Sequence, residues 1–101
     1  MYIMNVEYCI GDEIKQASHK VLECYDHVSK DDSSCRMLLP KEADASAYEN
    51  VTLNQGKITK LTLLNDQNEE LYVSTHWTSV AHVQKTFNAE GYINREVVLN
   101  F

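Results

Sequence analysis

Cys24 and His27 stand three residues apart, and on a helix that spacing makes the thiol and imidazole neighbours. Cys9 and Cys35 are the remaining thiols and would be needed to complete a zinc site. Cys24, however, falls among apolar residues spaced as on a helix stripe, where a thiol packs as a small hydrophobe. No second close pair of ligands accompanies the first. No metal and no cofactor are therefore expected. A cysteine nucleophile would need a base to activate it. Only His19 or His76, brought close by the fold, would serve Cys9 or Cys35. His76 and His82 flank Trp77 and titrate near neutrality as a type. The plainer expectation is that Trp77 anchors a core and His76 faces water.

Carboxylates are more plentiful. Asp31-Asp32, Glu42 with Asp44, and Glu69-Glu70 form close pairs, but general acid–base work requires them to converge in a cleft. All lie where loops or turns are expected, so they read as solvated acids. The three glycines stand singly, and no phosphate-cradling loop, HExxH, GxSxG or paired CxxC is present.

Charge is the stronger signal. The formal net charge is -6 over 101 residues, and it is lopsided. Residues 1–50 hold ten acids against five bases, and residues 51–101 five against four. Such a chain lacks the basic footprint that nucleic acid requires, so direct nucleic-acid binding is not expected. An acidic surface suits a basic partner instead: a basic protein, or the basic surface of a nucleic-acid-binding protein. Inhibitors that mimic nucleic acid, phage anti-defence proteins and immunity proteins act in this general way, although the parallel rests only on size and charge. The residues expected to carry such binding are Asp26, Asp31, Asp32, Glu42, Asp44 and Glu49. Tyr48 and Tyr72 join them as outward-facing aromatics of the kind that anchor interfaces. The alternatives are a small enzyme with a Cys/His site in a cleft, or an obligate homo-oligomer, in the simplest case a homodimer, paired through an open sheet edge.

The elements that must position these residues follow from periodicity. Tyr2–Ile10 alternates and predicts a strand. Gly11 ends it and Asp12 offers a helix N-cap. Ile14, Ala17, Val21, Cys24, Tyr25 and Val28 then recur at spacings of three and four, predicting a helix over 13–29. Arg36–Leu39 reads as a short strand stopped by Pro40, and 41–47 as loop. Tyr48–Leu53 is predicted as a strand, turned by Asn54-Gln55-Gly56 into a hairpin of 58–64 and 71–77. The hairpin's own turn is expected at Asn65-Asp66-Gln67-Asn68-Glu69, because Asn and Asp bond nearby backbone and tolerate left-handed geometry. In the second hairpin strand Leu71, Val73, Thr75 and Trp77 are expected inside, with Tyr72, Ser74 and His76 outside. Val80, Val83 and Phe87 predict a second helix over 79–90, capped by Thr78 and ended by Gly91. A last strand closes at Phe101. The expected fold is α+β, a single domain (1–101) with a mostly antiparallel sheet of four to five strands and two helices on it, in the order β-α-(β)-βββ-α-β. A 44% hydrophobic fraction supports a packed core. No apolar run approaches membrane-span length, and the N-terminal stretch does not read as a signal peptide. Three cysteines suit reduced thiols, so a cytoplasmic protein without a membrane partner is expected.

Overall fold

Met4, Val6 and Tyr8 point to one side of the first strand and are buried, while Asn5 and Glu7 point to the other. That strand, β1 (Tyr2–Ile10), has the bounds its alternation predicts. In the computed structural model, which describes residues 2–28, 33–40, 42–75, 78–87 and 93–100, it lies inside a larger all-antiparallel arrangement. The other elements are β2 (Glu13–Val21), β3 (Glu23–Val28), β4 (Ser33–Leu39), α1 (Ser46–Leu53), β5 (Lys57–Leu64), β6 (Glu70–Ser74), β7 (Ser79–Phe87) and β8 (Ile93–Asn100). Two four-stranded sheets result, ordered β2-β1-β5-β6 and β3-β4-β8-β7.

The sheets are joined at both margins. β2 runs into β3 with only Leu22 between them, and the Leu22 amide already donates to the Leu38 carbonyl of the second sheet at 2.8 Å. At the opposite margin, Ile58 of β5 and Thr78, just before β7, exchange two backbone hydrogen bonds of 2.9 Å. The core draws on both sheets and on α1. β1 and β5 contribute the directly paired rows Met4–Leu63, Val6–Leu61 and Tyr8–Ile58. β4 contributes Cys35, Met37 and Leu39, and β8 contributes Val97 and Leu99. Full burial of one such Leu or Ile contributes about 1.5–3 kcal/mol.

This architecture overturns the expectation of two helices on one sheet: the described residues of both predicted helices form strands, and the one helix among the described residues occupies a predicted strand. Each reversal has a local cause. In 13–28 the period of two is carried by Ala17, His19 and Val21, which turn inward, but His19 is polar and conceals the alternation. Ile14, counted into the helix stripe, is 72% exposed. Gly11-Asp12 is a two-residue hairpin loop rather than a helix start, with Gly11 at φ +60° as such a loop requires. In β7 a bulge at Ala81 lets Val80 pair with Leu99 and Val83 with Val97. An extra residue in a strand brings positions three apart to the same face, and the result imitates a helical repeat.

Tyr48–Leu53 helps form α1 because Ala45, Ser46 and Ala47 start it. The Asp44 carboxylate accepts the Ser46 amide at 2.9 Å, and Glu49 lies in the first turn, where the helix dipole favours an acid. At its end Gln55 takes a left-handed φ of 54°, and the Gly56 amide donates back to the Val51 carbonyl at 2.8 Å. This is a Schellman-type stop, not the hairpin turn expected for Asn54-Gln55-Gly56. Gly56 is needed for space: a Cβ there would stand 2.5 Å from the Cys9 carbonyl oxygen.

The turn between β5 and β6 matches its sequence chemistry. The Asn65 side chain accepts the amides of Gln67 and Glu69, and Asn68 adopts φ 61°. The faces of β6 are the reverse of expectation. Leu71, Val73 and Thr75 are exposed, whereas Ser74 is buried and Tyr72 packs partly against the core. His76 and Trp77 lie outside the described residues.

Candidate functional site

Residues 42–56 carry three acids and no Lys or Arg, and they form α1 with its flanking turns. Ala43, Ala45, Ala47, Tyr48 and Val51 face the core. Fixing those five inward leaves Glu42, Asp44, Ser46, Glu49, Asn50, Thr52 and Leu53 toward solvent. Leu53 is 81% exposed, the most exposed large hydrophobic residue among those described. With Glu49, Thr52 and Val83 of β7 it borders a shallow depression of about 270 Å³. The outer face of α1 is therefore apolar at its C-terminal end and acidic toward its start.

The residues expected to bind a partner are divided by the fold. Glu42, Asp44 and Glu49 lie together on this one segment, and all three are exposed. Asp44 also holds the helix start through Ser46, so it is anchored as well as charged. Asp26 lies in β3, paired with Cys35, on a different element. Asp31 and Asp32 lie outside the described residues. Tyr72 is partly buried against the core, and Tyr48 is wholly buried, so Tyr48 presents no surface to a partner. The expectation of an outward Tyr48 came from placing it in a strand.

Tyr48 instead lies between the two sheets. Its ring meets the His19 ring of β2 edge-on at 5.2 Å, and its hydroxyl lies 3.8 Å from the Met37 sulfur of β4. His19 Nδ1 is 3.1 Å from the Lys20 carbonyl. A carbonyl only accepts, so Nδ1 carries the proton and Nε2 accepts the Tyr48 hydroxyl at 2.5 Å. Burial lowers the His19 pKa, opposed by the Lys20 carbonyl and by the charge of Asp44. Burial raises the Tyr48 pKa well above its ordinary value, and the negative charge of Cys35 and Cys24 in their thiolate forms adds to the effect. Both groups are thus held neutral and hydrogen-bonded to each other, which is the chemistry of a satisfied polar contact in a core.

The Cys24–His27 pairing depended on helical geometry, and in β3 the i, i+3 neighbour relation does not exist. Among the described residues no group of three His, Cys, Asp or Glu side chains is placed to hold a metal ion. No described helix is long and apolar enough to cross a membrane. Leu53 escapes the sequence reading because 48–53 is predicted there as a strand, in which nothing singles the residue out. Recognising the Asp44-Ala45-Ser46-Ala47 run as a helix start would have turned Leu53 outward. Comparison with known proteins returned nothing: no family model, no curated protein and no solved structure matches this chain.

Proposed function

We propose that the protein is a non-enzymatic binding protein that occupies a basic surface of a macromolecular partner, using the outer face of α1. The observation that carries this reading is the exposed Leu53 on a segment holding Glu42, Asp44 and Glu49 and no basic residue. A solvated face needs no large apolar side chain, whereas an interface gains from an apolar anchor ringed by charges that complement the partner. Glu42, Asp44 and Glu49 steer a cationic surface toward the helix, and Leu53 with the adjoining depression receives an apolar side chain. The same charge disfavours nucleic acid as the direct ligand. The inhibitor, anti-defence and immunity types of acidic protein remain the functional class to which this reading points.

The test is affinity capture from the native host with mass-spectrometric identification. Wild type is compared with a variant carrying Glu42→Lys, Asp44→Asn and Glu49→Lys. Asn at 44 keeps the oxygen that accepts the Ser46 amide while removing the charge. A reversal of Glu69 and Glu70, exposed at the β5–β6 turn, serves as control. The reading expects a basic protein captured by wild type and by the control but lost from the α1 variant. Equal capture by all three proteins would sink it.

A further inference from the structure

Cys24 and Cys35 sit on neighbouring strands of the β3–β4 hairpin, two residues off direct opposition and so diagonal to each other on one face. Cys24 pairs with Met37, and Cys35 with Asp26. The twist of paired strands brings one diagonal closer than the other, and here the two Sγ atoms are 3.5 Å apart. No disulfide joins them. Bond formation requires a separation of about 2.05 Å, so the sulfurs must close by about 1.5 Å. They do so through side-chain rotation together with a local approach of the two strands, because diagonal neighbours stand about 7–8 Å apart and a disulfide spans less than about 7 Å.

The two thiols differ in access. Cys35 is wholly buried. Cys24 is partly exposed and lines a surface depression of about 390 Å³ together with Tyr2, Leu22, Leu63 and Leu71. One sulfur can thus be reached from solvent, and the second waits behind it. Cys9 lies apart in β1, its Sγ directed at the Gly11 carbonyl of its own hairpin loop.

We propose that Cys24 and Cys35 form a reversible dithiol–disulfide couple that exchanges with low-molecular-weight disulfides. The Cys24 thiolate attacks one sulfur of the small disulfide RS–SR. A Cys24–SR bond forms, the RS–SR bond breaks, and the departing thiolate takes up the proton lost by Cys24. The Cys35 thiolate then attacks Cys24 Sγ. The Cys24–SR bond breaks, the second thiolate leaves with the proton lost by Cys35, and the Cys24–Cys35 bond remains. Two protein thiols are oxidised, and one small disulfide is reduced to two thiols. The small thiol drives the same steps backward, so the state of the pair follows the ambient thiol–disulfide ratio.

The experiment equilibrates the full chain with graded ratios of reduced to oxidised glutathione at mildly alkaline pH. The mixtures are quenched with acid, alkylated and read by intact mass and peptide mapping. The expected product lacks two hydrogens, links Cys24 to Cys35 and leaves Cys9 alkylated. Because the fold holds the sulfurs together, their effective concentration should exceed that of the same chain in concentrated guanidinium by at least about tenfold. Cys9→Ser should leave this behaviour intact. Cys24→Ser and Cys35→Ser should each abolish it, with Cys35→Ser stopping at the mixed disulfide on Cys24. Circular dichroism checks that the variants fold, and Cys24→Ser, at the partly exposed position, still decides the matter if Cys35→Ser does not fold. The proposal is overturned if the folded chain shows no advantage over the denatured one. It is equally overturned if Cys9 is a member of the intramolecular bond, or if glutathione remains on wild-type Cys24 without displacement.

Discussion

The Tyr48 hydroxyl donates to His19 Nε2 at 2.5 Å, and this single contact ties α1 to the margin where β2 leaves the first sheet for the second. Both partners are buried, and both have lost the water that would otherwise satisfy them. Tyr48→Phe keeps the ring contact with His19 but leaves Nε2 without a donor. A buried acceptor stripped of its partner costs about 1–3 kcal/mol. Tyr48→Ala also empties the space between the sheets and should cost about 3–5 kcal/mol, as loss of a large core aromatic does. Chemical denaturation with an unchanged m-value reads both. A Phe variant as stable as wild type would show that the hydrogen bond contributes nothing net.

The same pair sets a pH dependence whose sign can be worked out. Burial lowers the folded-state pKa of His19 below its ordinary 6.5. Above 6.5 the imidazole is neutral in both states and does not affect the balance. As pH falls below 6.5, the unfolded chain takes up a proton that the folded chain refuses, so stability declines until the folded pKa is reached. Tyr48 acts at the other end. Its folded pKa is raised well above 10.0, so the unfolded chain ionises first and stability declines as pH rises past 10. His19→Gln should flatten the acid side of the stability profile and Tyr48→Phe the alkaline side, each by at most about 1.4 kcal/mol per pH unit for a single proton. Unfolding free energies measured across the pH range give both slopes. A His19→Gln profile as steep as wild type below 6.5 would place the acid sensitivity elsewhere.

How much of this was legible in the sequence depends on which residues faced inward. β1, β5 and the turn at Asn65 could be read directly, because apolar alternation and side-chain-to-backbone bonding are local properties. β2 was hidden by the inward His19, whose Nε2 finds its partner in Tyr48, 29 residues away in sequence. β7 was hidden by the Ala81 bulge, which no local pattern distinguishes from a helical repeat. β6 was read with its faces exchanged, since it carries Leu71 and Val73 on the solvent side and Ser74 inside. The candidate surface was legible in part. Glu42, Asp44 and Glu49 stood out by charge, but placing Tyr48 beside them required a strand that does not form, and Leu53 emerged only once α1 was known.

The face of α1 separates two kinetic contributions, and this is the sharpest check on its role. Exposed charges act mainly on encounter, through attraction that salt screens over about 8–10 Å. Removing the charges of Glu42, Asp44 and Glu49 should therefore slow association with the captured partner by about tenfold at low salt, with the difference shrinking as salt rises. An apolar anchor acts after encounter, and changes at such a position appear chiefly in dissociation. Leu53→Ala should speed dissociation by about tenfold or more, the size expected for an interface hot spot, while leaving association and its salt dependence nearly unchanged. Neither change should disturb the fold, because Leu53 is 81% exposed and the three acids face solvent. Surface kinetics at two ionic strengths, with thermal melts of each variant, measure all of this. If Leu53→Ala leaves the residence time of the complex unchanged, α1 does not form the centre of the interface. The acidic residues beside it then act only as a long-range field.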